Sequence, residues 1–375
     1  MAGRDPGEPH RPATSLELLF DLCFVIAVAQ ASRSLHAALA DGEYALGVLR
    51  FALVFFAIWW AWMNFTWFAS AYDTDDVPYR LTVLVQIAGS LVLAAGVPSA
   101  FEEGDLRVIT LGYVVLRTAL AALWLRAAWS DPAHRATTLR FAIGVTACQF
   151  GWVGLLGIPA AARLPGLAAL LVAEVAVPVW AQCAGMTPWN PRHIAERYEL
   201  FTLIVLGESV AATTVAVQSA FDRNHGTGSL YAVAAGGLLM AYAMWWLYFA
   251  EPAHTLLATT HRSHRRRFTW AYGHYLIFAS ATAEGAGLAA YADHVTRRTD
   301  ASPLAAGAAV TVPAAVFLIT VWAVHLRPHQ RTTSEWIPYP VAAVGILPAA
   351  YSPAPALAVG ALLAVLVGVV TVERG

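Results

Sequence analysis

The chain has 375 residues, of which 58% are hydrophobic and only 13% charged, and its mean hydropathy is +0.57. A soluble globule of this size needs more polar surface, so the composition excludes a soluble protein and indicates a membrane protein. The basic residues are 23 arginines without any lysine and the formal net charge is -1, which excludes a Walker-type ATPase, a lysine Schiff base and a nucleic-acid-binding surface.

Apolar runs of about 20 residues recur from end to end, each long enough to cross roughly 30 Å of hydrocarbon as a helix. They are too long and alternate too little to be barrel strands. Twelve spans are predicted, at 16–38, 44–68, 79–99, 107–129, 136–158, 164–184, 193–218, 229–251, 267–290, 303–325, 336–350 and 354–372. The eleventh is short and rich in proline. The predicted fold class is an all-α, polytopic membrane helical bundle of about twelve transmembrane helices.

The first span is predicted to remain as an uncleaved signal anchor, after a cytoplasmic N-terminal tail over residues 1–15. With twelve spans, fifteen arginines fall on the side of the N-terminus, seven on the opposite side and Arg117 within a span. The largest contribution is "HRSHRRRF" at 261–268, a basic loop suited to anionic lipid headgroups. The positive-inside rule therefore predicts a multi-pass protein of the inner (cytoplasmic) membrane with both termini in the cytoplasm.

The cysteines and histidines indicate no metal site. The three cysteines lie within or at the edge of spans without C-x-x-C spacing, so neither a disulfide framework nor a zinc site is predicted. The histidines near the basic loop match no recognised metal signature: His254, His261 and His264. No metal and no cofactor are predicted.

The two halves of the chain resemble each other at three places in the same order. "LELLFDLCFVIA" at 16–27 resembles "YELFTLIVLGES" at 198–209, and "AIWWAW" at 57–62 resembles "AMWWLY" at 243–248. "PYR" at 78–80, ahead of the third span, falls opposite "RRF" at 266–268, ahead of the ninth. Six spans per half would make the repeats parallel, related by an axis along the membrane normal. The alternative is that any two aromatic-rich membrane helices look alike. The predicted division of the single membrane domain is a first repeat at 16–190 and a second at 191–375.

Short motifs that carry acids and tryptophans follow one another along the chain. They are "ELLFD" at 17–21, "WW" at 59–60, "DTDD" at 73–76, "ERYE" at 196–199, "LGES" at 206–209 and "WWLYF" at 245–249. This ordered set resembles the bacterial low temperature requirement A family over about 14 to 325. The resemblance implies an integral membrane protein linked to growth in the cold, and it implies architecture more than mechanism.

Two acids lie near the start of the first span. Thr14 and Glu17 fit a capping box, which would satisfy amides at the helix N-terminus. Asp21 lies about 6 Å deeper on the same face. It is either the structural partner of an arginine, with Arg80 or an arginine of 262–267 on the appropriate side, or a functional carboxylate.

Glu208 is the most costly acid, because it lies roughly two and a half turns deeper than Glu199 in the seventh span, near the middle of the membrane. An unpaired carboxylate at that depth suits a proton relay; the alternative is a buried ion pair with Arg117. His274 and Glu284 of the ninth span lie about 80° apart around the helix and could line one groove. The predicted relay residues are therefore Asp21, Glu208, His274 and Glu284. A histidine hydrogen-bonded inside the bundle is the alternative for His274.

Two tryptophan pairs exceed what interfacial belts require: Trp59 with Trp60, and Trp245 with Trp246. They pack in the core or line a pocket for an apolar or cationic ligand.

Intramembrane acids within repeated halves favour a proton- or ion-linked secondary transporter of an unknown small molecule or ion. The first alternative is a membrane-embedded enzyme acting on a lipid or isoprenoid, with Glu208 or Asp21 as general acid. The second is a non-catalytic membrane scaffold. The expected partners are membrane lipids and the substrate, without nucleic acid.

Overall fold

The computed structural model describes residues 1–8, 11–222, 228–259, 264–330 and 332–372. Within these ranges the regular structure is helical and contains no strand. The α-helices are α1 Ser15–Ala40, α2 Tyr44–Tyr72, α3 Val77–Ala95, α4 Val97–Glu102, α5 Arg107–Ser130, α6 Arg135–Leu155, α7 Ala160–Gln182, α8 Pro191–Asp222, α9 Gly228–Phe249, α10 Ala253–Thr259, α11 His264–Val295, α12 Pro303–Val321, α13 Thr333–Trp336, α14 Pro338–Ile346 and α15 Pro355–Val372. The all-α prediction is confirmed.

In the part of the chain that the structure describes, nine helices are long and apolar enough to cross a membrane. They are Ser15–Ala40, Tyr44–Tyr72, Val77–Ala95, Arg107–Ser130, Ala161–Gln182, Pro191–Val215, Gly228–Ala258, Pro303–His329 and Pro355–Val372. This confirms a polytopic helical membrane protein, although the predicted number of twelve is not confirmed.

The remaining three predicted spans differ among themselves. Helices α6 and α11 occur where they were predicted but are too polar to count as spans by composition. The predicted span at 336–350 is broken into α13, α14 and a 3-10 turn at Leu347–Tyr351. Because proline lacks an N–H and clashes with the preceding turn, the prolines of this stretch interrupt a continuous helix.

The chain forms two compact units. The first comprises Met1–Gln30 and Phe56–Arg197, and the second Ala31–Phe55 and Tyr198–Gly375. In the first unit α3 packs on α5, α5 on α6 and α6 on α7; in the second, α11 packs on α12 and α9 on α15. The chain thus passes to the second unit seven residues after the boundary predicted for the repeats, and 31–55 belongs with the second unit. The internal repeat itself stays a prediction.

Glycines allow the helix backbones to touch, as is common between membrane helices. A Cβ on Gly112 of α5 would lie only 2.6 Å from the Cα of Leu93 in α3. A Cβ on Gly89 of α3 would lie 2.9 Å from the amide nitrogen of Leu116. Because these contacts are to backbone, rotation of a side chain cannot relieve them, and both positions require glycine.

Replacing Gly112 by alanine is expected to destabilise the protein by about 3 kcal/mol, because the added methyl group overpacks a backbone contact. The matched control is Gly154→Ala in α6, where a Cβ meets nothing within 4 Å. That variant should be neutral or slightly stabilised. Thermal unfolding in detergent micelles measures both variants, and equal stability of the two would contradict the proposed α3–α5 contact.

Candidate functional site

The predicted capping box at the start of α1 is confirmed. Thr14 Oγ1 accepts a hydrogen bond from the Glu17 amide at 3.3 Å, and Glu17 Oε2 accepts one from the Thr14 amide at 2.8 Å. The Glu17 side chain is nevertheless fully buried and does more than cap. Its Oε1 lies 3.1 Å from Nε2 of His193 and 3.4 Å from Nη1 of Arg197, both on the first turns of α8.

Asp21 is paired with Arg197, and the prediction of Arg80 as its partner is wrong. Arg197 Nη2 lies 2.6 Å from Asp21 Oδ1, and Trp62 Nε1 donates to the same oxygen at 2.8 Å. Arg80 instead pairs at the surface with Asp75. The physical reason is the position of α8, whose first turns lie beside those of α1 and bring the arginine of "ERYE" to the depth of Asp21.

The other predicted source of a partner for Asp21 was the basic loop at 261–268. Residues 261–263 of this loop lie outside the described residues, and residues 264–268 belong to the second unit. Within the first unit, one guanidinium serves two acids, because Arg197 contacts both Glu17 and Asp21. Removing one member of such a buried network leaves an uncompensated charge, which is strongly destabilising. The network therefore accounts for Asp21 structurally, and its relay role stays a prediction.

The N-terminal segment that was predicted to be a tail packs onto the first unit. The buried guanidinium of Arg11 donates to the carbonyl oxygens of Ser70 and Ala69, the latter at 2.7 Å. The Arg4 amide donates to Ala71 O at 2.9 Å. The last carbonyls of a helix have no partner within it, so the segment satisfies the C-terminus of α2.

Asp73 is buried directly after α2. Its Oδ2 lies 3.8 Å from Nη2 of Arg11, and its Oδ1 accepts the Asp75 amide at 2.9 Å. Burial, reinforced by the negative charge of Glu17, raises the pKa of Asp73 to about 6, against the opposing effect of these two donors. Asp73 therefore titrates in a range that a surface aspartate does not reach.

Arg117 is paired with Glu174 of α7 and not with Glu208, so the alternative proposed for Glu208 from the sequence is wrong. Arg117 Nη2 lies 2.7 Å from Glu174 Oε2, and both side chains are buried. Four further side chains donate to the same carboxylate: Trp60 at 2.9 Å, Tyr113 at 3.0 Å, Trp152 at 3.2 Å and Gln149 at 3.5 Å. Five converging donors make Glu174 the fully satisfied anchor of a polar core.

The two predicted tryptophan pairs have different surroundings. Trp60 is fully buried and bonded to Glu174, and Trp59 packs against it with ring centroids 5.5 Å apart. Trp59 and Trp60 therefore pack in the core, which was the alternative to a ligand pocket. Trp245 and Trp246 are 43% and 47% exposed and line a shallow apolar hollow in the second unit. A ligand at this hollow stays a prediction.

In the second unit, Glu208 and Glu284 lie on packed helices. Glu208 of α8 is half-buried, hydrogen-bonded to Ser32 and close to the charge of Arg33. The next residue, Ser209, donates its hydroxyl hydrogen bond to Glu284 Oε2 of α11. From the sequence, Glu208 was expected to be the most costly buried acid, but Glu284 is the one of the two that is completely buried.

Both ring nitrogens of His274 are engaged. Nδ1 lies 2.7 Å from Trp270 O and Nε2 lies 3.1 Å from the Tyr248 hydroxyl. The Tyr198 ring packs edge-on at 4.9 Å. The alternative of a hydrogen-bonded histidine inside the bundle thus describes its position. His325, to which no role was assigned, stacks on Tyr248 at 4.9 Å.

Four residues of these sites were missed: His193, Arg197, Ser209 and His325. Arg197 and Ser209 stood inside quoted motifs, which was a usable signal, because a polar residue next to a buried acid on a helix is a candidate partner. His325 lies in a π-helical turn at Trp322–Leu326, and such turns are frequent at functional sites. No residue pattern in the sequence predicts that π-helical turn.

Comparison with known families decides the identity of this architecture. A family model described as bacterial low temperature requirement A protein matches residues 12–371, nearly the whole chain. The chain belongs to the bacterial low temperature requirement A family. The chain is also 30% identical, over 245 residues, to an uncharacterized protein of Rhizobium meliloti (strain 1021). The alignment covers 63% of this chain and 58% of that relative. No solved structure matches the chain.

The Arg117–Glu174 pair of this low temperature requirement A protein allows a stability test. Arg117→Met is expected to cost about 3 to 5 kcal/mol, because Glu174 is left buried without its cation. The double variant Arg117→Met/Glu174→Gln should recover part of that loss. Arg107→Met, which removes an exposed pair with Asp105, is the control and should change little. Thermal unfolding in micelles measures all four proteins; a double variant as unstable as the single one would contradict the pairing.

The raised pKa of Asp73 predicts a pH dependence of stability. Its contribution is fully present below its ordinary pKa of 3.8 and is lost as the pH rises through about 6. The wild type should therefore gain on the order of 2 kcal/mol from this group on going from pH 7 to pH 4. Asp73→Asn should abolish that part of the profile.

The control for this profile is Asp105→Asn. Hydrogen bonds from Arg107 lower the pKa of Asp105 to about 2, so its titration lies below the same pH window. Unfolding temperatures between pH 4 and pH 7 should keep the wild-type slope in Asp105→Asn. A profile unchanged by Asp73→Asn would contradict the assignment.

Proposed function

We propose that this protein is a proton- or ion-linked secondary transporter in which Glu284 binds the coupling ion. The observation that supports this is the pairing of buried acids. Among the described residues, Glu284 is the one buried acid without an arginine or histidine within ion-pair distance. The five paired acids are Glu17, Asp21, Asp73, Asp131 and Glu174.

The absence of a cationic partner changes what a carboxyl group can do. A buried guanidinium compensates the charge of its carboxylate, and neutralising that carboxylate with a proton or metal ion would leave the guanidinium buried and uncompensated. Glu284 has only the hydroxyl of Ser209 as a described hydrogen-bond partner, and its Oε1 has none. A charge there is costly unless a cation binds with it, so this group suits reversible ion binding.

Glu208 supports access to that position. It precedes Ser209 on α8, is half-buried, and combines a hydroxyl contact from Ser32 with the nearby charge of Arg33. An acid with partial exposure beside a completely buried one is the arrangement that a stepwise relay requires. We propose that the coupling ion first meets Glu208 and then binds to Glu284. In this proposal His274 adjusts the affinity of the relay in the second unit, and Asp21 does so in the first.

The membrane and orientation are part of the proposal. The excess of arginines on the side of the N-terminus supports the bacterial inner membrane with both termini in the cytoplasm. The expected partners are the surrounding lipids and a small-molecule or ion substrate.

Transport by reconstituted protein tests the proposal. Wild type in liposomes, with a pH-sensitive dye inside and either a pH or a sodium gradient, should accumulate a member of a broad substrate panel. Glu284→Gln keeps the shape of the side chain but cannot hold a charge, so gradient-driven uptake should fall by about tenfold or more, equivalent to at least 1.4 kcal/mol. Glu103→Gln, at an exposed loop position, is the control and should transport like wild type.

Other outcomes decide for the alternatives. Uptake by Glu284→Gln equal to wild type would remove Glu284 from the mechanism. Absence of uptake across the panel, together with Glu284-dependent conversion of labelled lipid or prenyl substrates by membranes, would favour an intramembrane enzyme. Full tolerance of Glu284→Gln and Glu208→Gln in cold growth, combined with intolerance of Gly112→Ala, would favour a scaffold.

A further inference from the structure

Helix α12 carries a proline, Pro313, in its interior. Proline has no N–H, so it cannot donate the helical hydrogen bond to the carbonyl four residues earlier, which is that of Ala309. This main-chain carbonyl therefore keeps acceptor capacity inside the protein. In the membrane such carbonyls are tolerated where a ligand or another group uses them.

The Ala309 carbonyl lies against Gly287 of α11. A Cβ on Gly287 would collide with Ala309 O, so the two backbones touch there. Gly287 follows Glu284 by three residues, and residues at this spacing share one face of a helix. The carbonyl thus lies over the face of α11 that carries Glu284, about one turn away.

Helix α8 closes on the same turn of α11 from another side. A Cβ on Gly285 would lie 2.8 Å from the carbonyl carbon of Glu208 and 2.9 Å from the amide nitrogen of Ser209. This approach brings the Ser209 hydroxyl to Glu284 Oε2, while Oε1 has no hydrogen-bond partner in the part of the chain that the structure describes. Helix α8 therefore supplies a hydroxyl oxygen to the buried carboxyl group of α11, and the Ala309 carbonyl of α12 lies against the next turn of α11.

These three oxygen types are ligands for a hard cation. Carboxylate, hydroxyl and main-chain carbonyl oxygens suit alkali and alkaline-earth ions, whereas transition metals favour nitrogen and sulfur. One carboxylate matches a single positive charge. In the described residues no group of three or more histidine, cysteine, aspartate or glutamate side chains could hold a metal ion. Interrupted helices whose free carbonyls bind Na⁺ recur in secondary transporters.

We propose that Glu284, Ser209 and the main-chain carbonyl of Ala309 form a sodium site, with water or substrate completing the shell. This inference rests on the proposed function, of which it names the coupling ion. The Ser209 hydroxyl donates to the carboxylate and keeps its lone pairs for the ion. Pro313 keeps the third ligand available.

Sodium binding by the purified full-length protein in detergent tests the site, without any substrate. At constant ionic strength, NaCl should raise the unfolding temperature of the wild type by several degrees in a saturable way, whereas KCl and choline chloride should not. Binding of radioactive Na⁺ should saturate over the same concentrations. Glu284→Gln and Ser209→Ala should weaken both responses by about tenfold or more, equivalent to 1.4 kcal/mol per factor of ten.

Replacing Pro313 gives the sharper test, because it should make the helix more regular and at the same time lower the affinity for sodium. Pro313→Ala restores an N–H that competes for Ala309 O, so sodium affinity should fall several-fold while the helix becomes more regular. Pro178→Ala, inside α7 of the first unit, is the matched control and should leave the sodium response unchanged. This pair keeps the test decisive even where Glu284→Gln does not fold.

The possible outcomes distinguish failure of the sodium site from failure of the proposed transport function. A response to KCl or choline equal to that of NaCl, or a sodium response that survives Glu284→Gln and Pro313→Ala, overturns the sodium site. If it is overturned while a pH gradient still drives Glu284-dependent uptake, the proposed transport function stands with protons as the coupling ion. A saturable, Glu284-dependent sodium response without uptake of any substrate supports the site and contradicts transport.

Discussion

The structure depends on one constraint, which is that a charge buried among membrane helices must be compensated where it stands. In the first unit the constraint is met by arginine. Arg117 neutralises Glu174 at 2.7 Å, and Arg197 serves Asp21 at 2.6 Å. The desolvation of such pairs offsets much of their attraction, so their contribution is to position helices more than to stabilise them. They tie α5 to α7 and the first turns of α1 to α8.

The second unit meets the same constraint differently. Its buried acid, Glu284, is held by a serine hydroxyl, and the backbones of α8 and α12 approach it because glycines occupy positions 285 and 287 of α11. Glycine is required at both, since a Cβ would meet main-chain atoms of the neighbouring helix. Close packing by small residues thus occurs on the same turn as an acid that has no arginine or histidine partner among the described residues, which is why the proposed ion binding is assigned there.

Much of this was predictable because it depends on residues near in sequence. The capping box of Thr14 and Glu17 was confirmed, since a helix start is a local arrangement. Ion pairs were not predictable in the same way. Arg80 was one predicted partner of Asp21, and Arg117 was the alternative partner of Glu208, whereas the partners in the structure lie on α8 and α7. The pairing of an arginine with an acid depends on which helices are neighbours and on how far they are shifted along their axes. A hydropathy profile contains neither kind of information.

The sequence by itself determined the helical membrane class, most helix positions and the family, because length, apolarity and local motifs act within a segment. Only the tertiary structure separated the acids into paired and unpaired ones. It showed that Glu284 is more deeply buried than Glu208, that Arg11 of the N-terminal segment binds carbonyls of α2, and that the Ala309 carbonyl packs against Gly287 of α11. The reason is physical: the state of a buried carboxyl group is decided by the atoms within about 4 Å of it, and those atoms come from distant parts of the chain.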